Sequence, residues 1–426
     1  MKLNKLSKQL QKPAIWSIGV NGISVCIGAI ILLSLSIFFE SYELGLYFTF
    51  TGLGTLVFFA EFGLGQTIIQ IYKHFCDDPR EREQLIYSIK LWFRISLLFL
   101  LGILFLMPYF VEFEIAEDTN YRNAWMIFSI FIAWNYYLSK DFYIMQGADK
   151  MLQYWRYRFF EFGIYSLLLL TLIFLGQGIY SLVIATAVST IINFLYLSKF
   201  VKFKRSTMPI SPMTAFNFWK SNIAGIQFKV GVTWLGNNSI NRLIIPIVFI
   251  TQSAALAGQY GMSLSLVSIA YSVSVILINI KLPAMSSFIV NQDLYRFKKI
   301  FHRGLKQAII MFLAVILMEA VVVASLLEFS VLDRIRLMDV TSIFIIFLIY
   351  LLLMFINSFS CYMRSFREDN IAKYSVVANS LILVLGYIIL NTSNLFIFLC
   401  SYLLIVFVQF LFSVNAFLAF REIKKI

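Results

Sequence analysis

Glu43-Leu-Gly-Leu-Tyr47 has a counterpart in Ala257-Gly-Gln-Tyr260, and the two glycines stand half the chain apart (258 − 45 = 213, in 426 residues). Leu53 and Leu266 keep the same offset. Gly and Tyr are common here, so a three-residue match draws its weight from where it falls. It falls at the second long apolar run of each half. This placement predicts an internal duplication of six spans, an architecture met in transporters more than in enzymes.

The composition agrees. The chain is 60% hydrophobic and 13% charged, with a mean hydropathy of +0.82. Soluble domains sit near half apolar and a quarter charged, so a soluble protein is excluded. Met1 to Lys12 is polar, carries four lysines and precedes an apolar run over 14–39. That run is too long for a signal-peptide core and has no small-x-small cleavage site, so it reads as a retained first span. Cys26, Cys76, Cys361 and Cys400 are scattered without a CxxC pair, so neither a disulfide framework nor a metal centre is expected. His74 and His302 flank spans among basic residues and read as solvated interfacial groups. No pattern calls for a cofactor.

About 20 apolar residues cross a bilayer core. On that ruler the chain reads as an all-α polytopic membrane protein with twelve transmembrane helices over 14–39, 43–73, 85–108, 122–147, 152–175, 178–200, 213–240, 254–281, 305–327, 340–363, 371–391 and 395–419. The duplication divides them into two six-helix, pseudo-symmetric lobes, 1–205 and 206–426. Span 7 is the least regular. Asn217, Lys220, Asn222, Gln227, Lys229, Asn237 and Asn238 interrupt it, and Gly225, Gly231, Gly236 and Pro246 allow it to bend or break.

Loop charge orients the chain. With the N-terminus inside, outward loops hold Arg122, Arg242, Arg334 and Arg336, 4 of the 35 Lys and Arg. The same segments hold Glu40, Glu43, Glu112, Glu114, Glu117, Asp118, Glu328, Asp333 and Asp339. Both termini are therefore expected in the cytoplasm. The net charge of +13 then faces anionic lipid and implies no nucleic-acid partner. No connection exceeds about 25 residues, and no GxxxxGK, HExxH or serine elbow appears. These absences favour movement of a substrate over its conversion.

Ionisable groups near a bilayer midplane are costly and commonly face a cavity or one another. Four lie near the centre of their spans: Glu61 in span 2, Arg94 in span 3, Lys229 in span 7 and Glu319 in span 9. Lys90 is one turn from Arg94 on the same helical face. The functional reading is a hydrated cationic cavity for a phosphorylated or acidic substrate, which Arg and Lys hold through charge-assisted hydrogen bonds. The structural reading is ion pairing, for example Glu61 with Lys229, or snorkelling of the long basic side chains. Lys140-Asp141, Arg156, Arg158 and Glu161 form a second charged zone, read as interfacial pairing or as a cytoplasmic funnel. Trp134 and Trp234 lie deeper than the interfacial aromatics and pack or stack on sugar faces.

The first span, Glu43-Leu-Gly-Leu-Tyr47 and then Phe59-Ala-Glu-Phe-Gly-Leu64 resemble polysaccharide exporters of the multidrug/oligosaccharidyl-lipid/polysaccharide (MOP) superfamily. Asn241-Arg-Leu-Ile-Ile245 followed by Ala257-Gly-Gln-Tyr260 is similar to the second-half pattern. Asn241 departs from it, since an acidic residue often precedes the basic one there. Within the superfamily the likeness is to the Wzx-type O-antigen flippase. That resemblance implies a MATE-like fold in a bacterial inner membrane, with spans 1, 2, 7 and 8 around a cavity. It implies, as substrate, an O-antigen or related repeat unit on undecaprenyl pyrophosphate, moved from the cytoplasmic to the periplasmic leaflet during lipopolysaccharide biosynthesis. A polysaccharide polymerase and a chain-length regulator are implied partners. Glu61 falls at the family's acidic position before a Gly-Leu pair. A multidrug or metabolite antiporter of the same superfamily is the alternative; a membrane glycan polymerase is a third reading.

Overall fold

The computed structural model describes residues 2–75, 78–111, 119–148, 150–200, 211–238, 240–328, 336–366 and 368–423. Among these residues all regular structure is helical. The first ten helices are α1 (Lys2–Phe38), α2 (Ser41–Gly54), α3 (Leu56–Glu61), α4 (Leu64–Ile71), α5 (Pro79–Phe110), α6 (Thr119–Gly147), α7 (Met151–Phe174), α8 (Tyr180–Phe200), α9 (Pro212–Asn222) and α10 (Ala224–Asn238). The remainder are α11 (Ile240–Thr251), α12 (Ala254–Asn279), α13 (Leu282–Val290), α14 (Leu294–Glu328), α15 (Val340–Arg364), α16 (Ala372–Thr392) and α17 (Leu395–Ile423).

Local chemistry sets several of the helix starts. Asp78 accepts from the Arg80 N–H at 2.8 Å with Pro79 opening α5, and Ser211 accepts from the Thr214 N–H at 3.1 Å with Pro212 opening α9. Ser253 and Asp339 do the same for α12 and α15, at 3.2 and 2.9 Å. Each cap satisfies a backbone donor that the helix leaves open.

Nine helices among the described residues are long and apolar enough to cross a membrane. The expected spans 1, 4 and 7 fall outside that nine for physical reasons. In α1 the apolar part that qualifies is the shorter Gly22–Phe38. Helix α6 covers the fourth span at full length but carries Arg122, Asn135, Lys140 and Asp141. The seventh is broken: α9 ends at Asn222, Ile223 forms a turn, and α10 resumes at Ala224, just before the Gly225 expected to loosen it. The segment after span 7, read as a connection, continues as α11 with Pro246 inside it.

The chain forms two compact units, Met1–Ser34 with Phe50–Arg242, and Leu35–Thr49 with Leu243–Ile426. This partition differs from the sequence halves 1–205 and 206–426. Helices α9 and α10 fall in the second half by sequence and in the first unit by contact. Residues 35–49 are exchanged in the opposite sense.

In the second unit the start of α2 packs on the start of α12 through the duplicated motif. A Cβ on Gly258 would lie 3.0 Å from the Gly45 amide nitrogen, and one on Gly45 would collide with the Ala254 carbonyl oxygen. A Cβ on Gly261 would collide with the ring of Phe48, its own counterpart at the 213-residue offset. Small residues at such a crossing allow backbones to approach closely, as GxxxG-type helix pairs do.

Candidate functional site

The sequence predicts one helix over 43–73; the structure breaks it twice. At the first break the Thr55 amide and hydroxyl both bond to the Gly52 carbonyl, at 3.0 and 2.6 Å, which draws the chain into a tight turn. At the second, Phe62 and Gly63 are both left-handed, with φ of 45° and 69°. Glycine adopts this conformation freely; for phenylalanine it is a strained state held by its surroundings.

Those surroundings are close-packed backbone. A Cβ on Gly63 would lie 2.6 Å from the Gly231 Cα, and one on Gly231 would lie 2.6 Å from the Phe62 carbonyl oxygen. Glycine at both positions lets the broken segment lie directly on α10. Phe62 adds a ring contact to Phe228 at 5.9 Å.

The break frees polar groups that a continuous helix would pair internally, residue 64 with Ala60 and Gly65 with Glu61. Each finds a substitute. The indole N–H of Trp92, on α5, donates to the Ala60 carbonyl at 3.3 Å. The Glu61 side chain replaces its own carbonyl, its Oε1 accepting from the Gly65 N–H at 3.2 Å. Its Oε2 accepts from the Tyr143 hydroxyl on α6 at 2.8 Å. Glu61 is 2% exposed and, among the described residues, has no cation paired with it. Gly65 is needed at this point, because a Cβ there would collide with the Tyr143 ring.

A second layer supports the first. Tyr136, one helical register from Tyr143, shares a 2.6 Å hydrogen bond with Ser96 of α5. Trp92 stacks on Trp219 of α9 with ring centroids 5.2 Å apart, and the Ser88 hydroxyl bonds to the Ala215 carbonyl at 2.8 Å. Trp219 in turn donates to the Gln227 Oε1 at 2.8 Å, while the buried Nε2 of Gln227 has no partner among the described residues. Thus α3, α4, α5, α6, α9 and α10 converge on one discontinuous span.

The other candidates are dispersed. Lys90 and Arg94 share α5, where Lys90 is half-buried and Arg94 exposed beside Ile95, Leu98 and Phe99, all strongly exposed. Arg94 therefore lies on the outward apolar side of its helix. Lys229 lies in α10, within the element that packs on the break, but its side chain is outside the described residues, as is that of Trp234. The expected Glu61–Lys229 pairing falls with them. Glu319 is half-buried on α14 in the second unit, beside the exposed Leu317 and Met318.

The second charged zone is paired, as the interfacial reading expects. Arg158 and Glu161 form an ion pair at 2.8 Å, and Ser189 adds a 2.5 Å hydrogen bond to the other carboxylate oxygen. Lys140 pairs with Asp141 at 3.1 Å and donates to the Tyr137 carbonyl at 2.8 Å. Trp134 packs in an apolar cluster with Leu138, Phe142 and Tyr157. Sequence reading missed Trp92, Tyr143 and Trp219. They look like any aromatic in an apolar span until the break gives them carbonyl and carboxylate partners.

No known family profile matches the sequence, and no curated protein matches it. Solved structures do. An inward-facing multidrug resistance MATE family transporter of the MOP superfamily superimposes with a TM-score of 0.64 at 13% identity, covering 92% of this chain and 99% of that one. A MATE in complex with MaL6 gives 0.55 at 13% identity, over 97% of both chains. A MATE in its bent conformation gives 0.53 at 14% identity, over 98% of this chain and 97% of that one. The chain is thus a multi-pass membrane protein with the fold of MATE transporters of the MOP superfamily. At these identities the likeness is one of fold.

Proposed function

We propose that this protein is a flippase, which carries an oligosaccharide repeat unit on undecaprenyl pyrophosphate from the cytoplasmic to the periplasmic leaflet of a bacterial inner membrane. The fold supports a transporter. Half-helices that meet inside a span are where transporters of several folds place substrate or coupling ions, because freed backbone groups are available there.

One observation favours an anionic headgroup over the cationic drug of a multidrug antiporter. The carboxylate at the break already accepts one hydrogen bond on each oxygen, from Gly65 and Tyr143, and these tie it to the fold. Lys90, Arg94 and Lys220, in the same unit, have no carboxylate partner among the described residues. Basic groups left unneutralised in this way recruit pyrophosphate through charge-assisted hydrogen bonds. The prenyl tail stays in lipid while the sugar–pyrophosphate head crosses by alternating access. Lys229 contacts the phosphates, with Lys90 behind it, and Glu61 holds the break or takes up a coupling proton; Arg94, on the outward side of α5, stays with the lipid.

Deleting the gene tests this reading. A flippase deletion accumulates lipid-linked repeat units on the cytoplasmic leaflet and loses surface glycan. Lys229→Ala then fails to restore glycan while the protein still inserts. Normal glycan in the deletion, or accumulation on the periplasmic leaflet as for a lost polymerase, would overturn it.

A further inference from the structure

The stretch from Ala254 to Met318 carries Lys281, Arg296, Lys298, Lys299, Arg303 and Lys306 against a single acid, Asp293. That acid is committed to Arg296, with a 3.2 Å ion pair. Helices α12 and α13, which pack on α14, contain no acidic residue. The imbalance is local, and the fold concentrates it further.

Lys281 follows α12 and lies across α14 at Gly304. A Cβ there would stand 3.1 Å from the Lys281 Cδ and 3.4 Å from its Nζ. The bare backbone of Gly304 is what lets the lysine stem lie flat, and the stem in turn buries that glycine. The ammonium donates to the Gln307 amide oxygen and feels the charge of Arg303, one residue before Gly304. Burial, and then the Arg303 charge, push the Lys281 ammonium below the ordinary lysine range. Two like charges forced together without a carboxylate destabilise each other unless an anion joins them. Exposed Lys299 and Lys306 lie on the same side of α14 as Arg303.

We propose that Lys281, Arg303 and Gln307 form a binding site for the phosphate group of a lipid, at the end of α12 and α14 that loop charge assigns to the cytoplasm. Lysine and arginine supply the charge-assisted donors, and the amide oxygen anchors the ammonium. The phosphate can come from a bilayer phospholipid or from an isoprenyl pyrophosphate. The site shares no residue with the span-2 break, and the proposal does not rest on what the protein transports.

Full-length protein in phosphatidylcholine nanodiscs is titrated with dioctanoyl-phosphatidylglycerol, with farnesyl pyrophosphate and with dioctanoyl-phosphatidylcholine, and bound ligand is counted by native mass spectrometry. The doubly substituted Lys281→Gln/Arg303→Gln protein should lose about ten-fold in affinity for one or both anionic ligands. The ligand with the larger loss names the source. Lys373→Gln/Arg421→Gln removes equal charge elsewhere and should leave binding unchanged. Gly304→Leu keeps every charge but displaces the Lys281 stem and should weaken binding as the double substitution does. Equal losses in the Lys373/Arg421 control, binding of the zwitterionic lipid as tight as the anionic ones, or no loss on substituting Lys281 and Arg303 would overturn the site.

Discussion

Gly45 and Gly258 occupy equivalent places in the two halves of the sequence and touch each other in the fold, a Cβ on Gly258 reaching to 3.0 Å from the Gly45 nitrogen. Phe48 and Gly261 repeat the relation one turn further on. Contacts between a residue and its own counterpart are self-complementary, as on a two-fold axis. The two copies of the motif thus meet at this crossing.

The two glycines should not tolerate substitution equally. Gly45→Ala collides outright with the Ala254 carbonyl, whereas Gly258→Ala meets the Gly45 backbone nitrogen at 3.0 Å and the Leu44 side chain at 3.3 Å, a milder overlap. Overpacking of this kind costs about 1–3 kcal/mol. Thermal unfolding in detergent should place Gly45→Ala below Gly258→Ala, and both below the parent. Equal melting temperatures for all three would contradict the close crossing.

Glu61 separates a structural from a transport role. Glu61→Ala leaves the Gly65 N–H and the Tyr143 hydroxyl buried without an acceptor, at about 1–3 kcal/mol each. Glu61→Gln keeps one acceptor oxygen and should restore most of that stability. Proton uptake by the carboxylate would still be lost. Transport should therefore fail in Glu61→Gln protein that melts near the parent temperature; full activity in that variant would restrict Glu61 to holding the break.

Trp92→Phe tests the other half of the break. The phenyl ring keeps much of the stack on Trp219 but cannot donate to the Ala60 carbonyl. A loss of about 1–2 kcal/mol is expected, as for a buried acceptor left open. Hydrogen exchange should rise at the amides flanking Phe62 and stay unchanged in α17. Unchanged protection around residue 62 would mean that Trp92 does not support the broken helix.

Acid sensitivity has one legible source outside the spans. Asp339 caps α15, and its hydrogen bonds from the Ser342 hydroxyl and N–H hold its carboxyl below the ordinary aspartate value. A depressed folded value means stability that is present above the unfolded value and lost as pH falls through the folded one. That loss should begin below about pH 4. Asp339→Ala should cost about 1 kcal/mol at neutral pH and shrink the difference from the parent in acid. Melting curves from pH 7 to pH 3 decide it, and a constant gap at every pH would refute the cap.

The spans were legible because apolar length is a strong signal, and the unrest in span 7 was visible in its amides and glycines. The break in span 2 was not. Phe62 takes a left-handed conformation that no periodicity records, although Phe-Gly follows Glu61 in the very motif singled out for the family resemblance. Pro246 was expected to let the chain bend near span 7, and α11 forms around it, because a freed carbonyl in a short apolar helix is tolerated when neighbours surround it. Glu61 and its counterpart Ser274 show the same limit. Ser274 is buried and bonds back to the Ala270 carbonyl at 2.7 Å within an unbroken α12, so equivalent positions carry different backbones. Partners such as Tyr143 depend on which helices meet, and no spacing within one helix contains that.

The most direct measurement is translocation by the purified protein. Proteoliposomes would carry an undecaprenyl-pyrophosphate-linked oligosaccharide with a fluorescent sugar, and a membrane-impermeant quencher would report the leaflet it occupies. Protein-dependent transfer between leaflets that Lys229→Ala abolishes is the expected result. No transfer of the lipid-linked sugar, with gradient-driven movement of a cationic dye in its place, would contradict it.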